Sequence, residues 1–120
     1  EKIAINLDQA RIPDNAGNMP NNVEIISGGA DGLFSTLPVD QIIEKLKSAT
    51  IPASLSYSAG TYVCNHLFYL IQNYCKDKKI KSGFVHVPLM ESQAPEFPGL
   101  PTMSLNQIVE AVKLMIKIVQ

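Results

Sequence analysis

Cys64 stands in the run Ser58-Ala59-Gly60-Thr61-Tyr62-Val63-Cys64-Asn65, where a glycine-broken turn delivers its sulfur to the start of an apolar segment. Cysteine attacks as the thiolate, and a helix N-terminus favours the thiolate through its unpaired N–H groups and the positive end of its dipole. That makes Cys64 a candidate nucleophile, although a lone cysteine on an apolar helix is most often a core residue. A thiol nucleophile needs a base to take its proton and return it to the leaving amine, and the sequence holds only two histidines. His66 is the nearer, but residues two apart on a helix point about 200° away from each other, so His66 reads as a surface or packing side chain. His86 lies near the carboxyl end of Ser82-Gly83-Phe84-Val85-His86-Val87-Pro88, a short apolar run closed by proline that reads as a buried strand. In open α/β sheets ligands bind at the carboxyl ends of the strands, and a strand following Cys64 can run beside the one that leads into it. A histidine in such a strand is by itself more often a satisfied core residue; the partnership with Cys64 makes it the candidate base.

Those two residues must be positioned by the elements around them. Glu1 to Leu7 alternates like a half-buried strand, and Asp8 to Asn18 carries the turn chemistry of a long polar loop. Asn21 to Ile26 is a weak second strand ended by Ser27-Gly28-Gly29. Leu37-Pro38-Val39-Asp40 opens a helix whose apolar positions Val39, Ile42, Ile43 and Leu46 follow helical spacing to about Ala49. Pro52 to Tyr57 reads as a strand, and the Ser58-Ala59-Gly60 turn separates it from a helix over about Thr61 to Lys76, with Cys64 in its first turn. After the His86 strand comes a proline-rich loop to Pro101, then an amphipathic helix from Leu105 to Val119. Strands alternating with helices imply an α/β sheet with helices on both faces.

Composition excludes several classes of function. At 120 residues, 46% hydrophobic and 18% charged, with a net charge of -1, the chain can build one modest core and has no extended positive field for nucleic acid. Its apolar stretches are interrupted by polar residues well before the roughly 20 a bilayer requires, and no charged-then-apolar leader opens it. The expectation is a soluble, cytosolic protein. Cys64 and Cys75 lie on one predicted helix, about 16 Å of rise apart, too far for a disulfide between them. Two free thiols suit a reducing compartment.

Three ordered motifs carry a family resemblance: Ser58 to Asn65, Gly83-Phe84-Val85-His86-Val87-Pro88, and Glu1-Lys2-Ile3-Ala4-Ile5-Asn6 with Asp8-Gln9-Ala10-Arg11-Ile12-Pro13-Asp14-Asn15. Together with Phe34-Ser35-Thr36-Leu37-Pro38, they closely resemble pyroglutamyl peptidase I, also called pyrrolidone-carboxylate peptidase. The resemblance runs from end to end of this chain and corresponds to the carboxyl-terminal part of that family's sequence. It implies a three-layer α/β sandwich of the phosphorylase/hydrolase-like kind, with a mixed, mostly parallel sheet. It also implies a cysteine peptidase that removes amino-terminal pyroglutamate from peptides, without metal or organic cofactor. By the same resemblance Cys64 is the nucleophile, His86 the proton carrier and Glu1 the acid that orients His86. Arg11 matches a family arginine close to the active site, and the role assigned to it here is to order the loop near the developing oxyanion, together with the Cys64 backbone N–H. Tyr62 is the aromatic against the pyrrolidone ring, and the Val63 backbone is the hydrogen-bonding partner of the lactam. Homodimers or homotetramers are the assemblies the resemblance implies.

From composition alone Glu1 would be a frayed terminal charge and Arg11 a solvated loop residue. The chain opens on a strand pattern already in full stride, with no initiator methionine, and lacks the family's amino-terminal pocket loop. The expectation is one domain over residues 1–120, and a partial one. Two alternatives stand beside the peptidase reading: an inactive, truncated α/β piece that acts structurally or by self-association, and another cysteine hydrolase of similar layout.

Overall fold

The computed structural model describes residues 1–120 as two compact units. The first comprises Glu1–Leu37 and Leu55–Phe84, the second Pro38–Ser54 and Val85–Gln120.

The first unit is built on two short strands and one helix. Strand β1 (Ile3–Ile5) pairs antiparallel with β2 (Gly32–Phe34), with Ala4 opposite Leu33. Helix α2 (Val63–Cys75) covers this pair, and Ala4, Phe68 and Tyr69 form its fully buried centre. Alanine at position 4 lets the helix approach the strand closely, and the two aromatic side chains fill the space so left. The inward face of α2 is Asn65, Phe68, Tyr69, Gln72 and Cys75, the spacing of one helical stripe. Val63, Leu67, Leu70, Ile71 and Tyr74 lie exposed on its other side, so α2 is apolar nearly all round.

The second unit pairs helices α1 (Val39–Ser48) and α3 (Leu105–Val119), which pack against each other. Ile42 and Leu46 are buried on α1, while Asp40 in its first turn and Lys45 and Lys47 in its last complement the dipole. Helix α1 ends in a Schellman motif: the Ile51 N–H donates to the Leu46 carbonyl and the Thr50 N–H to the Lys47 carbonyl, both at 2.9 Å. Thr50 takes the left-handed position with φ 60°, where a β-branched residue is strained. Helix α3 starts at Ser104, whose hydroxyl accepts the Gln107 N–H. Strands β3 (Leu89–Met90) and β4 (Thr102–Met103) form a two-residue parallel pair, the first within the span expected to be loop and the second between that span and the expected start of α3.

All three expected helices form, within two residues of their expected ends. The expected strands fare less well. Glu1–Leu7 contracts to Ile3–Ile5, and Asn21–Ile26 keeps only one bridge, between Asp8 and Val23. Pro52–Tyr57 and Ser82–Pro88 carry no strand, while β2 forms where none was expected. A strand requires consecutive ladder bonds to a partner, whereas these segments make single contacts, such as Lys2 N–H to the Ser56 carbonyl and Thr36 N–H to the Ser82 carbonyl.

Candidate active site

The approach to Cys64 is set by one glycine. Gly60 has φ 79°, a conformation glycine adopts freely, and its N–H donates to the Ser58 hydroxyl to close the turn. Thr61 then locks the outgoing chain to the loop after β1: the Gln9 N–H donates to the Thr61 carbonyl at 2.8 Å, and the Thr61 hydroxyl donates to the Gln9 carbonyl at 2.9 Å. Tyr62 is the extended residue before α2, and no side chain caps the helix. The first helical bond is His66 N–H to the Tyr62 carbonyl, which leaves the backbone N–H of Cys64 among the helix's open donors. Cys64 is a free thiol, partly exposed, in the first turn, where the sequence places it.

His66 is turned away from this thiol. Its Nδ1 lies 2.6 Å from the Asp8 carboxylate, which can only accept, so Nδ1 carries the hydrogen. The expectation of a non-catalytic His66 gains a specific partner that sequence spacing did not reveal. Asn65, which the sequence shows only as the last residue of the Cys64 motif, is fully buried and bonds three backbone groups of residues 5 and 7. The signal was available: a polar residue on the inward stripe of an otherwise apolar helix has to find buried partners.

Glu1, Arg11, Tyr62, Val63 and Cys64 all belong to the first unit. The Glu1 nitrogen donates to the Phe84 carbonyl at 2.8 Å, and one of its carboxylate oxygens is buried. Phe84 in turn packs on Phe68 with ring centroids 5.9 Å apart, so the first residue and the segment entering His86 are anchored to the core under α2. Arg11 is exposed on the loop after β1. Val63 is exposed and Tyr62 partly so. His86 belongs to the second unit and is exposed.

The loop that carries Arg11 is closed on itself by Asp14. One carboxylate oxygen accepts the Ala16 and Asn18 N–H groups at 2.9 and 2.8 Å, and the Asn18 side-chain amide donates to the other at 3.1 Å. The Asn18 side chain and then the backbone donors hold the Asp14 carboxyl below its ordinary value of 3.8. Beyond this loop a groove of about 730 Å³ runs between Met19-Pro20 and the exposed side of α2 at Val63, Leu67 and Leu70. That side lies about 100° around the helix from Cys64. No group of three or more His, Cys, Asp or Glu side chains is arranged to hold a metal ion, and no helix is long and apolar enough to cross a membrane.

Short strands covered by helices place the chain in the α/β class. The family model described as pyroglutamyl peptidase matches residues 1–120, and the chain belongs to that family. It is 50% identical over 119 residues to the pyrrolidone-carboxylate peptidase of Vibrio parahaemolyticus, covering 99% of this chain and 56% of the relative. It is 48% identical over 120 residues to the Bacillus cereus protein of the same name, covering 98% of this chain and again 56% of the relative. The crystal structure of Bacillus amyloliquefaciens pyroglutamyl peptidase I superposes with a TM-score of 0.93 at 40% identity, covering 98% of this chain and 58% of that one. A mutant pyrrolidone carboxyl peptidase from Pyrococcus furiosus gives 0.92 at 39%, covering 98% and 60%. The chain thus spans little more than half the length of the relatives it matches.

Proposed function

We propose that the protein carrying this chain is a cysteine peptidase that hydrolyses the amide bond after an amino-terminal pyroglutamyl residue. The observation that carries this reading is the family match over every residue of the chain, with a partly exposed thiol at an uncapped helix start. In the proposed mechanism His86 takes the Cys64 proton and the thiolate adds to the pyroglutamyl carbonyl carbon. The oxygen so charged is met by the Cys64 backbone N–H, with Arg11 ordering the adjoining loop. As the tetrahedral species collapses, the C–N bond breaks and His86 gives its proton to the departing amine, leaving a thioester. Water, relieved of a proton by His86, then releases pyroglutamate and restores the thiol. Glu1 orients His86 and balances its charge. Tyr62 covers the lactam ring and the Val63 backbone hydrogen-bonds its amide, a small ring held between an apolar wall and few polar groups. The substrates are peptides blocked by pyroglutamate, and the working form is a cytoplasmic homodimer or homotetramer.

The test is release of pyroglutamate from a pyroglutamyl-anilide by the freshly reduced protein in its natural polypeptide. Activity is expected in the unsubstituted protein and its loss in Cys64→Ser; no release, or an unchanged rate in Cys64→Ser, sinks the reading. One observation favours a second reading, an inactive α/β piece that acts structurally or by self-association: one side of α2 exposes Val63, Leu67, Leu70, Ile71 and Tyr74. Turnover by the 120-residue species at a rate comparable to a full-length relative excludes it.

A further inference from the structure

Four residues, Ile5, Leu7, Asp8 and Gln9, hold the helix start that bears Cys64. Asn65, the next residue, is fully buried, and a carboxamide so placed is costly unless its hydrogen-bonding capacity is used. Its Oδ1 accepts the Ile5 N–H at 3.0 Å, and its Nδ2 donates to the Ile5 carbonyl at 2.9 Å and the Leu7 carbonyl at 3.1 Å. The side chain therefore exchanges both bonds with Ile5, as a facing residue of an antiparallel strand would, on the edge of β1 left over from pairing with β2. On one side of Cys64, Thr61 and Gln9 exchange a second pair of bonds; on the other, His66 closes on Asp8. Residues 61, 65 and 66 are all tied to β1 and its extension, and the partly exposed Cys64 lies between them with no such tie of its own among these bonds.

We propose that Asn65, backed by Thr61 and the Asp8–His66 pair, is the positioning residue that fixes the direction of the Cys64 sulfur by splicing the start of α2 to β1. The proposal rests on the peptidase reading above. A helix is free to turn about its own axis unless its first turn is held, and a rotation of about 20° carries a side-chain atom on its surface through more than 1 Å, given the helix radius. A displacement of about 1 Å at the reacting atoms can lower a rate about 100-fold. Because β1 begins two residues after Glu1, the same splice sets the nucleophile in register with the strand that carries the proposed acid.

The experiment compares Asn65→Ala with Tyr69→Phe in the natural polypeptide, using a pyroglutamyl-anilide and counting active sites by thiol titration. Tyr69→Phe removes a bond from the same buried face, the 2.7 Å donation to the Ala30 carbonyl, without touching residues 5–9. Asn65→Ala is expected to lower kcat per titrated thiol about 10- to 100-fold with KM within about threefold, under conditions where urea melts show it folded. Tyr69→Phe is expected to lower the urea midpoint while kcat stays within about twofold, the mark of a role in stability alone. Equal kcat in Asn65→Ala and the unsubstituted protein, or an equal fall in Tyr69→Phe, overturns the proposal. Should Asn65→Ala not accumulate folded, Thr61→Val decides, since it cuts only the hydroxyl tie to Gln9: a several-fold fall in kcat supports positioning and an unchanged kcat overturns it. An unsubstituted protein that releases no pyroglutamate fails the peptidase reading, and the positioning role falls with it. An active protein indifferent to Asn65→Ala fails the positioning role alone.

Discussion

Gly83→Ala tests how tightly the segment entering His86 is seated. A methyl group at this position would stand 2.5 Å from Leu37 Cδ1, 2.5 Å from Ser35 Oγ and 2.7 Å from Leu37 Cγ. Ordinary carbon contacts are about 3.5–4.0 Å, so three atoms are overrun by about 1 Å at once. Neither side yields easily. The Ser82 carbonyl accepts from Thr36 N–H at 2.9 Å and from the Ser35 and Thr36 hydroxyls, and the Thr36 hydroxyl accepts the Ser82 N–H at 2.7 Å. Overpacking of this kind costs about 1–3 kcal/mol; at about 2 kcal/mol the folding equilibrium falls roughly 30-fold. In urea the midpoint should drop by about 1 M with the slope unchanged. A double-mutant cycle with Leu37→Ala isolates the clash, because that change removes the Cγ and Cδ1 atoms in the way. The double variant should be less destabilised than the sum of the singles by about 1 kcal/mol, a coupling expected only for neighbours. A midpoint indistinguishable from the unsubstituted protein, or additivity within about 0.5 kcal/mol, refutes the reasoning.

Thr50→Gly should stabilise the protein by about 0.5–1 kcal/mol in urea melts, because glycine relieves the left-handed strain at the end of α1 and keeps both Schellman bonds. Phe68→Ala, at a position with 0% exposure between Ala4 and Phe84, should cost about 3–5 kcal/mol in the same assay. Asp14 has a folded-state pKa below its ordinary 3.8, so its contribution to loop order is present above that value and is lost as pH falls through the depressed one. In an NMR titration the Asn18 amide should therefore shift with a midpoint below 3.8, and Asp14→Ala should abolish the transition and speed hydrogen exchange at Ala16 and Asn18.

The split between what was legible in the chain and what was not follows the range of the bonds involved. Helices α1, α2 and α3 could be read because each bond spans four residues and each apolar stripe repeats within the segment. That locality also placed Cys64 in the first turn of α2 and turned His66 away from it. The strands could not be read in the same way. Ser82–Pro88 has strand-like composition, but whether it enters a sheet depends on distant partners, and its bonds gather at Ser82, to Ser35 and Thr36, and at the Phe84 carbonyl, to Glu1, instead of forming a ladder. Gly32–Phe34 has little strand character of its own and forms one because Ile3–Ile5 lies beside it. By itself, then, the sequence determined the helices, the family and the address of Cys64 at the start of α2. Only the tertiary structure decided that Asn65 would splice α2 to β1 and that Asp8 would take His66, since those bonds join residues about sixty positions apart whose meeting no local pattern records.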